Sequence, residues 1–222
     1  EAAKLTTSGE GSPVIYSTGN IIVNNVNGIA NNSEIGVVEG KNSITLTNSN
    51  VTGYKDNGFM LYQSFSGDAE SGIARLKAEN NTLTTHATGA FLYVNNTTAE
   101  VDLSNNAISM PNTSTLVKAA ADSRWGKTGE NGGHLTLRTS NQELSGNIMA
   151  DSISTIALDM TNGSSLVGAV NTDNTAKEVT VKLSKDSNWI LTGDSYVKSL
   201  SNEDTTGSNI QLNGYKLVVA DK

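Results

Sequence analysis

The sequence predicts an all-β fold: a right-handed parallel β-helix, a three-sided solenoid of about seven to eight coils. Three observations predict it. The composition favours turns over helices, a short apolar pair recurs about every 28 residues, and two further apolar positions follow most of the pairs in constant order.

Composition sets the first bound. Among 222 residues there are 27 Asn, 25 Ser, 25 Thr and 21 Gly, together 44% of the chain. All four types weaken helix interiors, which argues against a helical bundle or a doubly wound α/β enzyme. Apolar residues make up 36% and are spread evenly, while charged residues are only 17%, so the chain has the material for a core. The longest apolar run is Ala90 to Val94, far short of the roughly 20 residues that cross a bilayer. No membrane insertion is expected. A net charge of −7 without a basic cluster makes nucleic acid an unsuitable partner. Absence of cysteine removes disulfides and thiolate metal sites, and fits a secreted bacterial protein.

The pair itself reads Ile22 and Val23, then Ile44-Thr-Leu46, Ala74-Arg-Leu76, Val101-Asp-Leu103, Leu135-Thr-Leu137, Ile156-Ala-Leu158, Val181-Lys-Leu183 and Ile210-Gln-Leu212. A second apolar position comes several residues later, at Val51, Leu83, Ile108, Leu144, Leu166, Ile190 and Leu217. A third is carried by Phe59-Met-Leu-Tyr62, Phe91-Leu-Tyr-Val94, Leu116-Val117, Ile148-Met149, Val170 and Tyr196-Val197. Three short strands per unit describe a triangular coil. One residue in two points inward, and only the next coil can cover it. An antiparallel sandwich would instead use tight hairpins, for which Asn57-Gly58, Asn162-Gly163 and Asn213-Gly214 are available. The constant phase of the three elements favours the helix.

Asparagine tolerates the left-handed backbone of tight corners. Asn48, Asn80 or Asn81, and Asn105 or Asn106 each follow an anchor strand, and are expected to stack from coil to coil rather than to grip sugars. Trp189 is expected in the core. The chain reads as a single domain over 1–222, with residues 1–11 as a disordered lead-in, and as a monomer. Val14-Ile-Tyr-Ser17 resembles a third strand whose first two partners are missing, and Leu212 to Val219 a closing hairpin or half-coil. Both suggest excision from a larger protein.

Chemistry is sparse. Asn171-Thr-Asp173 and Arg75-Leu-Lys77 resemble fragments of polygalacturonase motifs, but stand in reversed order and about four coils, near 19 Å, apart. The acid and base of an inverting hydrolase need roughly 6.5–9.5 Å. His86 and His134 fall on different coils and read as solvated surface residues. No catalytic residues are assigned. Calcium is the cation that the acidic turns suit, with Asp68, Glu70 and Asp173 as candidate ligands. Sugar faces pack on aromatic rings. Trp125, flanked by Arg124 and Lys127 in the long insertion from Asp122 to Gly133, is therefore the candidate carbohydrate contact. Tyr16, Tyr62 and Tyr93 share a third-strand position, and inward stacking is expected of them.

Ser12-Pro-Val-Ile-Tyr-Ser-Thr-Gly19, Val38-Glu-Gly-Lys-Asn-Ser-Ile-Thr-Leu46, Met60-Leu-Tyr-Gln-Ser64 with Ser66-Gly-Asp68, and Leu191-Thr-Gly-Asp-Ser-Tyr196 carry a resemblance. Together they resemble a family of pectin-lyase-like β-helix domains, carbohydrate-binding in type, from secreted or surface proteins of bacteria. The resemblance implies a non-catalytic extracellular domain that binds polysaccharide or a host glycan along one face of the rod. The alternatives are an adhesin or stalk that binds another surface protein or spaces other modules, and, less favoured, a polysaccharide lyase or hydrolase.

Overall fold

Strict alternation builds the walls. In strand Ser43–Thr47 the side chains of Ile44 and Leu46 are fully buried while Ser43, Thr45 and Thr47 are half-buried on the outer side. The computed structural model describes residues 1–220 and contains 25 strands, with no helix among the described residues. Pairing in every sheet is parallel, as in a β-helix. The first face is one eight-stranded sheet running from Asn20–Asn24 to Ser199–Asn202. The second face has two sheets, five strands from Ala3–Thr7 to Ala107–Ser109 and four from Glu143–Ser145 to Ile210–Gln211. The third holds six strands from Ile15–Ser17 to Ile148–Ala150, a bridge from Ile148 to Val170, and the pair Ser195–Val197 and Leu217–Val219.

Each inward position becomes a column through the stack. On the first face one column runs Ile21, Ile44, Leu76, Val101, Leu137, Leu158, Val181, Leu200. Columns from all three faces meet in one continuous apolar core that includes Phe59, Phe91 and Trp189. Trp189 is in the core as expected, fully buried, and donates its indole N–H to the Gly168 carbonyl at 3.0 Å. Burial of each side chain depends on the turn above and below, so no single turn has a core of its own.

The stack has about nine turns, above the seven to eight that the spacing predicts. The first face has eight strands, as many as the anchors, but its last is Ser199–Asn202, whose sequence Ser-Leu-Ser-Asn offers one apolar residue and so lacks the pair; the further turn is the one that Ala3–Thr7 begins. Ile210 belongs instead to the second face, beside Trp189. Three registers also differ from the expected ones. Ile22 is 80% exposed, and Ile21 and Val23 point inward in its place. Ile44 lies opposite Leu76, two residues on from the expected partner. Trp189, not Ile190, aligns with Leu166. Within the expected lead-in, Ala3–Thr7 is a strand paired with Val26–Ala30, so a second-face strand does precede Ile15–Ser17. Leu217–Val219 pairs in parallel with Ser195–Val197, which makes it a half-turn rather than a hairpin.

The corner between the first and second faces explains the asparagines. Asn25, Asn48, Asn80, Asn105, Asn141 and Asn162 all take positive φ between 48° and 58°, where asparagine is among the few tolerated side chains. Their neighbours form a buried ladder. Asn81 donates to the Asn106 Oδ1 at 2.8 Å and Asn106 to the Gln142 Oε1 at 3.0 Å, while each also donates to a main-chain carbonyl below. Amide side chains thus continue the coil-to-coil hydrogen bonding through a corner where the sheets do not.

The second face is interrupted. Ala107–Ser109 pairs with Thr82–Thr85 behind it, Glu143–Ser145 pairs with Ser165–Val167 ahead of it, and the two do not pair with each other. A groove of about 720 Å3 lies between them. The first and third faces continue unbroken past this point.

Candidate functional site

The outer side of the third face is where the winding departs from a plain rod. Its outward column runs Tyr16, Val37, Met60, Tyr93, Lys118, Met149. Sequence reasoning expects the tyrosines inside, but Ile15, Phe59 and Leu92 already fill the inward column, which leaves Tyr16 and Tyr93 on the other side of the sheet. Tyr62 also points outward, two residues beyond Met60. Tyr62 and Tyr93 are nevertheless only 7% exposed, because two insertions fold over them. One spans residues 63–72 and the other residues 120–132, and together they shelter a second apolar cluster of Val37, Met60, Tyr62, Ala90, Tyr93 and Ala120.

Trp125 is the top of that cluster. Its ring lies 5.2 Å from the Tyr62 ring and 6.1 Å from the Phe65 ring, tilted 50° to each. Trp125 is half-buried, whereas Phe65 is 68% exposed. The two rings, one from each insertion, form an angled apolar shelf open to solvent. Asn131 fixes its height by donating to the Asp122 and Trp125 carbonyls, both at 2.7 Å. Asn96 donates to the Gln63 carbonyl at 2.8 Å and ties the shorter insertion to the body. Gly126 needs its glycine: φ is +74°, and a Cβ there would lie 2.1 Å from the Asn96 Oδ1.

Beneath the shorter insertion lies a carboxylate held by hydroxyl groups. Glu39 is 4% exposed and accepts hydrogen bonds from Tyr16 at 2.5 Å, from Ser66 at 3.2 Å and from Ser64. The Tyr16 and Tyr62 hydroxyls are 2.8 Å apart. Burial opposes ionisation of Glu39, yet the Ser64, Tyr16 and Ser66 donors outweigh it and hold its carboxyl below the ordinary range. Both tyrosines are pushed up, chiefly by burial and for Tyr16 also by its bond to Glu39. Tyr93 is raised to about 12 by burial and by the Asp122 charge. The network therefore stays anionic at Glu39 and neutral at the phenols across physiological pH.

The sequence-predicted contacts fall on the longer insertion. Arg124 pairs with Asp122 at 3.1 Å and Lys127 with Glu130 at 2.5 Å. Trp125 forms half of the shelf, and Arg124 is its neighbour along the chain. Lys127 is largely exposed and its charge is already partnered. Phe65, the more exposed ring, was missed. It is one aromatic between two serines, and only the fold brings it beside Trp125.

Compared with protein-family models, with curated proteins and with solved structures, the chain matches none.

The candidate calcium ligands are not gathered into one site. Asp68 and Glu70 stand exposed on the 63–72 insertion, where Glu70 pairs with Lys41 at 3.3 Å. Asp173 follows the bridge residue Val170, four turns further along the rod. Among the described residues no three His, Cys, Asp or Glu side chains converge as a metal cluster. The polygalacturonase-like fragments are equally separated: Arg75 lies in a first-face strand, paired with Glu100 at 3.3 Å. His86 stacks on Tyr54, ring centres 4.4 Å apart, and His134 meets the Thr155 hydroxyl at 3.2 Å. Among the described residues no helix is long and apolar enough to cross a membrane.

Proposed function

We propose that this chain is a non-catalytic glycan-binding domain that takes the apolar face of a sugar on the Phe65–Trp125 shelf. The observation that carries this reading is the exposure of Phe65 beside a half-buried Trp125 on a base that two hydrogen-bonded insertions hold in place. A rigid ring pair offers contact area at little cost in side-chain entropy, and an adjacent Arg–Asp pair offers donors and acceptors to sugar hydroxyls. A bacterial surface or secreted setting fits such a domain.

Immobilised pectin, cello-oligosaccharide and mucin glycans test it. At least one should retain the protein, and Phe65→Ala should weaken that binding roughly 2- to 12-fold, as the ~0.5–1.5 kcal/mol of an aromatic contact implies. The unfolding midpoint should stay put, since Phe65 contributes little to the core. Equal retention of parent and variant would contradict the assignment. A stalk that spaces other modules is the second reading, favoured by the rod of stacked turns itself, and it predicts no retention on any of the three.

A further inference from the structure

Both halves of the Phe65–Trp125 shelf lead back to one carboxylate. Phe65 stands between Ser64 and Ser66, and both serines donate to the Glu39 Oε1, Ser66 at 3.2 Å. The two hydroxyls lie 2.7 Å apart, and the Ser66 N–H donates to the Ser64 Oγ at 3.1 Å. With the side chains on either side drawn inward to the same atom, the one between them is directed outward, so Ser64 is buried while Phe65 faces solvent. The other oxygen serves the other ring. Glu39 Oε2 accepts from the Tyr16 hydroxyl at 2.5 Å, which leaves that hydroxyl to accept from Tyr62, 2.8 Å away. The Tyr62 ring in turn supports Trp125, centres 5.2 Å apart.

The ends of the 63–72 insertion are fastened without Glu39. Asn96 holds the Gln63 carbonyl at 2.8 Å, the Gln63 side chain donates to the Ala69 carbonyl at 3.2 Å, and the Lys41 N–H donates to the Glu70 carbonyl at 2.7 Å. Only the tip that bears Phe65 depends on the carboxylate. Among the described residues no other carboxylate meets Ser64 or Ser66. Around Glu39 stand the Lys41–Glu70 ion pair at 3.3 Å and the exposed Asp68 on the insertion side, the phenols of Tyr16 and Tyr62 on the third face, and Glu34, whose charge reaches Tyr62 from the neighbouring corner.

We propose that Glu39 is the positioning residue of the shelf: its charged carboxylate sets Phe65 and Trp125 side by side, and a proton on it takes them apart. The inference rests on the glycan reading for what the shelf holds, and on these hydrogen bonds for how it is held. A protonated carboxyl has a proton of its own to place, so at least one of the three donating hydroxyls must turn round to accept it. The bonds that remain lose the charge that makes them short and strong. Burial opposes ionisation of Glu39, but the Ser64, Tyr16 and Ser66 donors outweigh it, so the carboxylate keeps its charge until the pH is below 4.5. A sugar seated on the two rings at neutral pH is then released in acid.

The test needs no glycan. Nuclear Overhauser cross-peaks between the Phe65 and Trp125 rings should be present in the parent at pH 7. They should be lost on acidification with a midpoint below 4.5, while those of Trp189 with Leu166 and Ile210 in the core persist. Glu39→Gln should show the Phe65–Trp125 peaks weakened already at pH 7 and unaltered by acid, again with the Trp189 peaks in place. Three results would each overturn the proposal: a ring contact that persists in the parent down to about pH 2, loss of it only together with the Trp189 peaks, or the same pH course in Glu39→Gln as in the parent. Failure of the glycan reading looks different, since no glycan is then retained, or retention outlasts the ring contact, while the cross-peaks keep their pH course.

Discussion

Glu39 shows how much of this site is made by single residues. Its carboxylate is the common acceptor for hydroxyls of Tyr16, Ser64 and Ser66, which link the first strand of the third face to the 63–72 insertion. Because its folded pKa lies below the unfolded value of 4.5, the stabilisation is complete above that value and is lost as pH falls through the depressed folded one. The insertion should therefore loosen in acid before the rod does. Limited proteolysis at neutral pH should cut Glu39→Gln within residues 63–72 faster than the parent, and the difference should shrink as the parent is acidified. Glu34 has the opposite sign. Burial raises its carboxyl, so its contribution turns unfavourable as pH climbs from 4.5 through the folded pKa. Glu34→Gln, whose amide oxygen can still accept from Ser33, should raise the unfolding midpoint at pH 7 and leave it unchanged near pH 4.

Strands were legible where the apolar pair is intact and illegible where it is not. Val101-Asp-Leu103 and Leu135-Thr-Leu137 both lie on the first face as the pattern requires, because two inward residues flanking an outward one define a strand without tertiary help. Ser199–Asn202 escaped because its neighbours, rather than its own side chains, hold it in the sheet. The shelf was half legible. A lone tryptophan in a glycine-rich insertion marked Trp125, but Phe65 acquires meaning only from a ring that roughly 200 Å of extended chain could equally have placed elsewhere; no local spacing relates the two insertions.

 The two rings come from insertions two turns apart, after Phe59–Tyr62 and after Thr115–Ala119 with Ala90–Asn95 between them, and only the parallel stacking of the third face sets them side by side. The inward columns make a direct prediction at this scale. Leu137→Ala removes a fully buried member with neighbours above and below, and should cost about 2–5 kcal/mol in denaturant unfolding. Thr136→Ala, on the outer side of the same strand, should cost well under 1 kcal/mol, within the usual ~0.5 kcal/mol of surface changes.

At the scale of the whole molecule the solenoid separates stability from recognition. The core runs unbroken along the axis, so insertions can leave the third face and the second face can open without exposing it. Composition made the architecture readable, since corners built on asparagine and walls built on alternating residues need those residue types in quantity. It said nothing of the groove, because the break in pairing lies between strands that each look ordinary in sequence. Gln142 was the local sign of it: a longer amide stands where Asn81 and Asn106 serve on the preceding turns, and its extra length spans the opening.

Tryptophan emission reports on the shelf most directly, because Trp189 is sealed in the core and Trp125 alone stands beside Phe65. Pectin, cello-oligosaccharide and mucin glycans should be titrated in turn into the parent, into Trp189→Phe and into Trp125→Phe. For at least one of them the account predicts a saturable change in emission and protection from iodide quenching in the parent and in Trp189→Phe, and neither in Trp125→Phe. Saturable glycan binding that leaves the Trp125 signal untouched, or no binding by any of the three, would contradict it.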